Sequence, residues 1–290
     1  MWWINESEIM IVGLGLMGGS YARALKRLGF HVSAIDKNAE SIRYALENEI
    51  IDEGFTSPDP EALAQADAVI FALYPGAFLD WIRDYQQLLK PGAMLTDVTG
   101  VKSCIVYEVQ DRLRKDVEFI AAHPMAGREV YGVENSTETM FRDANYIVVP
   151  TAANSQDAVE WCKSLGKILG FGHISVLSPE EHDEMIGFVS QLTHCIAVAL
   201  MTCSDNAHLV DYTGDSFRDL TRIARINETM WSELFLRNKG PLLHQMDVFI
   251  REMETLRQML QDEDREGLKE KMRLSTRRRA LFDRKGKGTK

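Results

Sequence analysis

Cysteine is scarce in this chain: Cys104, Cys162, Cys195 and Cys203 are the only four among 290 residues. No two have CxxC spacing and none stands near histidines in a zinc pattern, which excludes a disulfide scaffold and leaves no expected metal site. Proline is also sparse, with 8 against 20 glycines, so collagen-like and Pro-rich disordered chains are excluded. Positive charge is outnumbered, 33 Lys and Arg facing 43 Asp and Glu for a formal net charge of −10. A broad nucleic-acid-binding surface is therefore not expected. The imbalance is uneven, since residues 269–290 hold ten Lys and Arg against Glu270 and Asp283. No basic segment followed by an apolar one opens the chain, so no secretory leader is expected. The most apolar long stretch, 185–201, is interrupted by Ser190, Gln191, Thr193 and His194. It is expected to fall short of the ~18 apolar residues that cross a bilayer. These absences together predict a cytoplasmic protein that binds neither membrane nor nucleic acid.

What is present reads as two domains, in keeping with ~100–200 residues each. Short apolar runs at 8–12, 31–35, 68–72, 94–97, 119–121 and 146–149 predict strands. They alternate with helical patterns at 18–28, 39–47, 78–88 and 155–165, with a last strand at 173–177. That alternation predicts a parallel sheet covered on both faces. At Ser178-Pro179-Glu180-Glu181 a capping box opens a run of helices, apolar on more than one face, that continues to Arg279. The expected division is residues 1–172 as an α/β domain and 173–290 as an all-helical one. Helices with two apolar faces predict a homodimer.

Gly13-Leu14-Gly15-Leu16-Met17-Gly18 is a GxGxxG sequence that follows the first strand and opens the first helix. In that setting Gly13 makes the tight turn, Gly15 lets the backbone approach a pyrophosphate, and Gly18 lets helix and strand pack closely. The free N–H groups of the helix start face the phosphates. Asp36 ends the second strand, where a carboxylate accepts the ribose hydroxyls and repels a 2′-phosphate, so NAD is the expected cofactor. The same carboxylate can instead cap the next helix. Leu73, Tyr74 and Pro75 follow the strand at 68–72 and are expected to lie over the cofactor.

Two further segments, residues 97–102 and 123–128, follow strands at the same end of the sheet. This placement raises His123 above the other six histidines, because a neutral imidazole can take a hydroxyl proton while hydride leaves the same carbon. Thr99 is expected to orient it. A loop histidine bonded to backbone is the plainer alternative. Ser190 and His194 stand four apart on one helix amid apolar residues, a position suited to a pocket or to a satisfied core histidine. Arg222 lies between apolar neighbours, where its fork grips a carboxylate or pairs with Asp219.

GLGLMGGS at 13–20, DVTGVK at 97–102, HPMAG at 123–127, SQLTH at 190–194 and FRDLTRIA at 217–224 followed by Trp231 resemble the prephenate dehydrogenase family of tyrosine biosynthesis. The likeness runs from the first strand to about Ala280. It implies a Rossmann-type domain followed by a helical domain that forms the dimer. The implied reaction is NAD-dependent oxidative decarboxylation of prephenate to 4-hydroxyphenylpyruvate, with arogenate oxidation to tyrosine as the alternative. His123 would take the ring-hydroxyl proton, His194 and Ser190 would line the prephenate pocket, and Arg222 would grip a substrate carboxylate. Three departures stand out. The family serine that touches the catalytic histidine is here Gly100, with Thr99 as the neighbouring hydroxyl. SHLPH has become SQLTH, and Arg128 replaces a threonine found in some members and is expected to meet substrate or cofactor.

Overall fold

The computed structural model describes residues 3, 7–128 and 130–282. Six parallel strands form the main sheet: β1 (Glu8–Val12), β2 (His31–Ile35), β3 (Glu53–Phe55), β4 (Ala68–Phe71), β5 (Met94–Asp97) and β6 (Glu118–Phe119). Their order is β3-β2-β1-β4-β5-β6. Helices α1 (Leu16–Arg27), α2 (Ala39–Glu47), α3 (Pro60–Gln65), α4 (Pro75–Tyr85) and α5 (Ser103–Arg112) lie between the strands in sequence. β1 and β4 are almost wholly buried, as their unbroken apolar runs require when both faces are covered. Tyr21, Phe141 and Trp161 belong to one hydrophobic core, and Phe71, Phe78, Trp81 and Phe119 to the other. The winding reverses between β1 and β4, and a ligand binds such a sheet beyond the strand ends at that reversal.

The single strand expected at 119–121 is divided. Glu118–Phe119 closes the main sheet on β5, whereas β7 (Ala121–Met125) leaves it. β7 runs antiparallel to β8 (Asn145–Val149), and β8 pairs in parallel with β9 (His173–Val176) beyond α6 (Gln156–Ile168). Pro124 has no N–H to donate, and β7 is an edge strand of this second sheet, where such a residue is tolerated. Other expectations shift by a few residues. α1 starts at Leu16, and α4 starts at Pro75, with proline in the first turn where its missing donor costs nothing. β3, α3 and α5 were not expected from the sequence. Asp59 caps α3 ahead of Pro60, a signal that was open to reading.

The capping box at Ser178 and Glu181 is formed and opens α7 (Pro179–Ile186). A π-helical turn, Gly187–Leu192, carries the chain into α8 (Thr193–Thr202). α9 (Leu209–Tyr212), α10 (Asp215–Thr221), a 3₁₀ turn at Arg222–Ala224 and α11 (Glu228–Arg237) follow. The continuous helix Pro179–Thr202 reaches a mean hydropathy of 1.6 over 18 residues. By length and composition it therefore passes the membrane-span test that 185–201 was expected to fail. Its polar interruptions are hydrogen-bonded within the protein, Gln191 to the Leu234 carbonyl and His194 to that of Ser190. Residues Met1–Lys239 form one compact unit, and Gly240–Lys290 form a second that holds most of α12 (Lys239–Gln261) and all of α13 (Arg265–Arg279). Of the basic C-terminal run, Arg284, Lys285, Lys287 and Lys290 lie outside the described residues.

A buried ion pair ties the two sheets together. Asp97 and Lys102 have fully buried side chains, with Lys102 Nζ 2.7 Å from Asp97 Oδ2. The ammonium also donates to the Ala122 carbonyl of β7 at 2.6 Å, and Ala122 N donates to Asp97 Oδ1 at 3.2 Å. Burial pushes the Lys102 pKa down, against the pull of Asp97. Removing one partner leaves an uncompensated buried charge. Lys102→Met is expected to lower unfolding free energy by about 3–5 kcal/mol in denaturant titration. A loss under about 1 kcal/mol would show that the pair does not hold β7 in place.

Candidate active site

The glycine loop is built by contact. Gly13 has φ +95°, and a Cβ there would lie 2.4 Å from the Ala72 carbonyl oxygen. A Cβ on Gly18 would sit 1.9 Å from the Gly13 carbonyl oxygen, so helix and strand close only around glycine. At Gly15 a Cβ would meet nothing within 4 Å. Space is thus left at the one glycine that the motif reserves for ligand. α1 begins with no side-chain cap, which leaves the N–H groups of its first turn, at Leu16 and Met17, for an anion. These features fit a dinucleotide diphosphate. Asp36 Oδ2 accepts from Leu14 N at 2.6 Å and Oδ1 from Asn38 N at 2.8 Å. The carboxylate is thereby fixed beside the loop, and the cap of α2 is Asn38 rather than Asp36.

The loop after β4 lies next to this site. Leu73 Cδ2 lies 2.9 Å from where a Gly13 Cβ would be. Tyr74 is exposed at the cap position of α4, and Pro75 is its buried first residue. Gly76 N donates to Glu233 Oε1 of α11 at 2.7 Å.

His123, on β7, is half-buried. Its Nδ1 is 2.9 Å from His182 Nε2, and His182 Nδ1 is 2.8 Å from Asp183 Oδ1. The Asp183 carboxylate also accepts from the backbone N–H groups of Lys102 and Ser103, each at 2.8 Å. Asn238 Nδ2 donates to the Asp183 carbonyl at 2.9 Å and to Gln191 Oε1 at 2.7 Å. Burial, together with the nearby His182 and Lys102, holds the His123 pKa well below its ordinary 6.5. Burial also lowers His182, although Asp183 opposes it. Asp183 would be raised by burial, but its bonds from His182 and Ser103 bring it below the usual carboxylate value.

Thr99 does not orient His123. Its buried hydroxyl is held by Asp97, by the Val101 carbonyl at 3.0 Å and by Lys102 Nζ at 3.2 Å. The group bonded to His123 is His182, which the sequence reading passed over although it stands on the capped turn after Pro179. Gly100 lies against the histidine: a Cβ there would be 3.8 Å from His123 Cε1 and 3.6 Å from Leu234 Cδ1.

α11 links this cluster to the helical residues. One turn before Leu234, the Trp231 ring lies over His194 with centroids 3.7 Å apart and planes at 30°. His194 Nδ1 is 2.9 Å from the carbonyl oxygen of Ser190, which is half-buried in the π-helical turn. The turn Arg222–Ala224 packs on α8. Arg222 itself is exposed in the single chain, although apolar residues flank it in sequence. Leu220 is itself 60% exposed and so does not shield it. Arg128, exposed after β7, donates to the Asn135 carbonyl at 2.7 Å.

A glycine loop shaped for a dinucleotide at the sheet reversal and a half-buried histidine on β7 fit a nucleotide-dependent dehydrogenase of Rossmann type. Residues 21–175 match the nucleotide-binding domain of prephenate dehydrogenase and residues 178–274 its dimerization domain. The chain belongs to the prephenate dehydrogenase family. It is 32% identical to the prephenate dehydrogenase of Bacillus subtilis over 271 residues, 91% of this chain and 72% of that one. The cyclohexadienyl dehydrogenase of Zymomonas mobilis is 29% identical over 280 residues, 94% of each chain. The fold of the present chain matches a crystal structure of prephenate dehydrogenase from A. aeolicus in complex with hydroxyphenyl propionate and NAD+, with TM-score 0.88, 30% identity, and 97% and 99% of the two chains covered.

The glycines separate folding from binding. Gly18→Ala is expected to lower Tm by several degrees, because its methyl overlaps the Gly13 carbonyl. Gly15→Ala is expected to keep the parental Tm while NAD Kd rises about tenfold or more, measured by fluorescence titration. Unchanged NAD affinity in Gly15→Ala would remove the diphosphate from this loop.

Proposed function

We propose that the chain oxidises prephenate with NAD, releasing carbon dioxide and giving 4-hydroxyphenylpyruvate. The observation that carries this reading is His123, a half-buried imidazole of lowered pKa. It lies against Gly100 in the loop after β5, the strand that pairs with β4 beside the glycine loop. NAD supplies the hydride acceptor when bound. Gly13, Leu14, Gly15, Leu16, Met17 and Gly18 would hold its diphosphate, Asp36 its ribose, and Leu73 to Pro75 would border it. Thr99 supports this floor from within the buried Asp97 network. His123 takes the hydroxyl proton of the substrate, which makes hydride departure from the same carbon favourable. Loss of the ring carboxylate then restores aromaticity and makes the step nearly irreversible.

Prephenate carries two carboxylates, and Arg222, Arg128 and His194 would receive them, with Ser190 at the edge of the pocket. Residues 1–172 would serve the cofactor and 173–290 the substrate and a homodimer. The exposed apolar side chains Val210, Tyr212 and Leu236 support burial against a second copy. A cytoplasmic location fits a pathway enzyme that uses a soluble nucleotide.

The direct test is NADH formation with prephenate and with arogenate, which carries an ammonium in place of the side-chain keto oxygen. Turnover with prephenate at least tenfold more efficient is expected, and the reverse preference would overturn the substrate assignment. His123→Asn should lower kcat by ~10²–10⁴-fold while NAD binding is kept. Because the His123 pKa is depressed, its base form persists as pH falls, so the acid limb of kcat/KM should lie below pH 6.5. A limb above that value would place the base elsewhere.

Arg222→Ala should raise the prephenate KM about tenfold or more, as expected for a charge-assisted bond, and leave NAD Kd unchanged. Arg222→Lys, which keeps charge but loses the fork, should fall between. Equal prephenate KM in all three proteins would exclude the carboxylate clamp.

A further inference from the structure

We propose that Asp183, acting through His182, fixes His123 in the tautomer protonated at Nδ1 and so leaves Nε2 as its proton-accepting nitrogen. This rests on the reading of His123 as the base, and adds which nitrogen acts and what sets it. The argument is a count of donors and acceptors along three side chains. Asp183 already accepts from Lys102 N and Ser103 N at 2.8 Å each, so its carboxylate is ionised and has nothing to donate. His182 Nδ1, 2.8 Å from Asp183 Oδ1, must therefore carry the hydrogen of that bond. A neutral imidazole has one N–H, so His182 Nε2 is left as an acceptor. His123 Nδ1, 2.9 Å away, must then be the donor. Neutral His123 keeps its lone pair on Nε2 alone. Burial supports neutrality of both rings, since His182 is fully buried and His123 half so. Neither orienting bond comes from the strand that carries His123, because both residues belong to α7.

His182 and Asp183 are thus positioning residues, and the polarity of the relay is set by the two backbone N–H groups at the start of α5. Reversing it would require Asp183 to hold a proton while facing two N–H donors, which wastes an acceptor in a buried place.

The first test needs no substrate. In the unaltered protein labelled with ¹⁵N-histidine, two-bond ¹H–¹⁵N spectra distinguish protonated from unprotonated ring nitrogens, with His123→Asn assigning the His123 signals. The expected result is Nδ1–H on both His123 and His182. His123 found mainly as the Nε2–H form overturns the proposal, whatever substrate the enzyme prefers. The second test compares His182→Leu with His182→Gln. Leucine removes the acceptor and should lower kcat about 10²-fold. Glutamine offers a carbonyl to the same Nδ1–H and should recover tenfold or more of it, at parental NAD Kd and substrate KM. Equal kcat in the two variants would mean that His182 only fills space, and would overturn the relay. Failure of the prephenate assignment would appear as absent turnover in the parent, with the tautomer spectra unchanged.

Discussion

The carboxylate of Asp183 is the point on which the active-site architecture depends. It accepts from two backbone N–H groups at the start of α5 and from the His182 ring, three donors at 2.8 Å each. Burial alone would favour its neutral form, and these bonds outweigh that cost. A negative charge at a helix N-terminus is doubly favoured, by the unpaired N–H groups and by the helix dipole. One residue of α7 therefore closes the N-terminus of a helix in the dinucleotide-binding half and orients, through His182, a side chain on the second sheet. Asn238 fixes the backbone of Asp183 in turn.

A second buried charge works alongside it. Asp97 and Lys102 bracket the loop that holds Thr99 and Gly100, and both bond to Ala122, the residue before His123. Polar networks of this kind are costly if half-satisfied, but here each charged group has several partners. The two networks meet at Lys102, whose ammonium serves Asp97 and whose backbone N–H serves Asp183. The strand carrying His123 can leave the main sheet because these bonds replace the ladder it gives up. Its new partner, β8, pairs His123 with Ile147 and sets which way the strand faces.

Membership of the prephenate dehydrogenase family accounts for the pairing of a glycine-loop sheet with a long apolar helix. That helix, Pro179–Thr202, has membrane-like hydropathy but carries His182, Asp183, Gln191 and His194 on it. Gln191 and Asn238 bond to each other, and His194 stacks on Trp231. A helix of this composition serves two environments at once, with His182, Asp183 and Gln191 buried and apolar residues such as Phe188 and Val189 exposed in the single chain. A dimerization domain calls for that division.

Local rules made much of the molecule legible. The glycine loop, the strands at 8–12, 31–35 and 94–97 and the capping box at Ser178 follow from residues adjacent in sequence. So do the family and its fold, because the motifs are contiguous and each has a stereochemical reason. What the sequence could not disclose depends on residues far apart. α5 has no cap of its own and receives one from Asp183, about eighty residues later. The partner of His123 is 59 residues away, and Thr99, expected to orient it, is spent on Asp97 and Lys102. The exposure of Arg222 likewise depended on how its turn lies against α8, which no apolar neighbour in sequence could reveal. Backbone periodicity and turn chemistry act over a few residues and can be read locally, whereas a buried polar group is satisfied by whichever donor the folded chain brings within 3 Å.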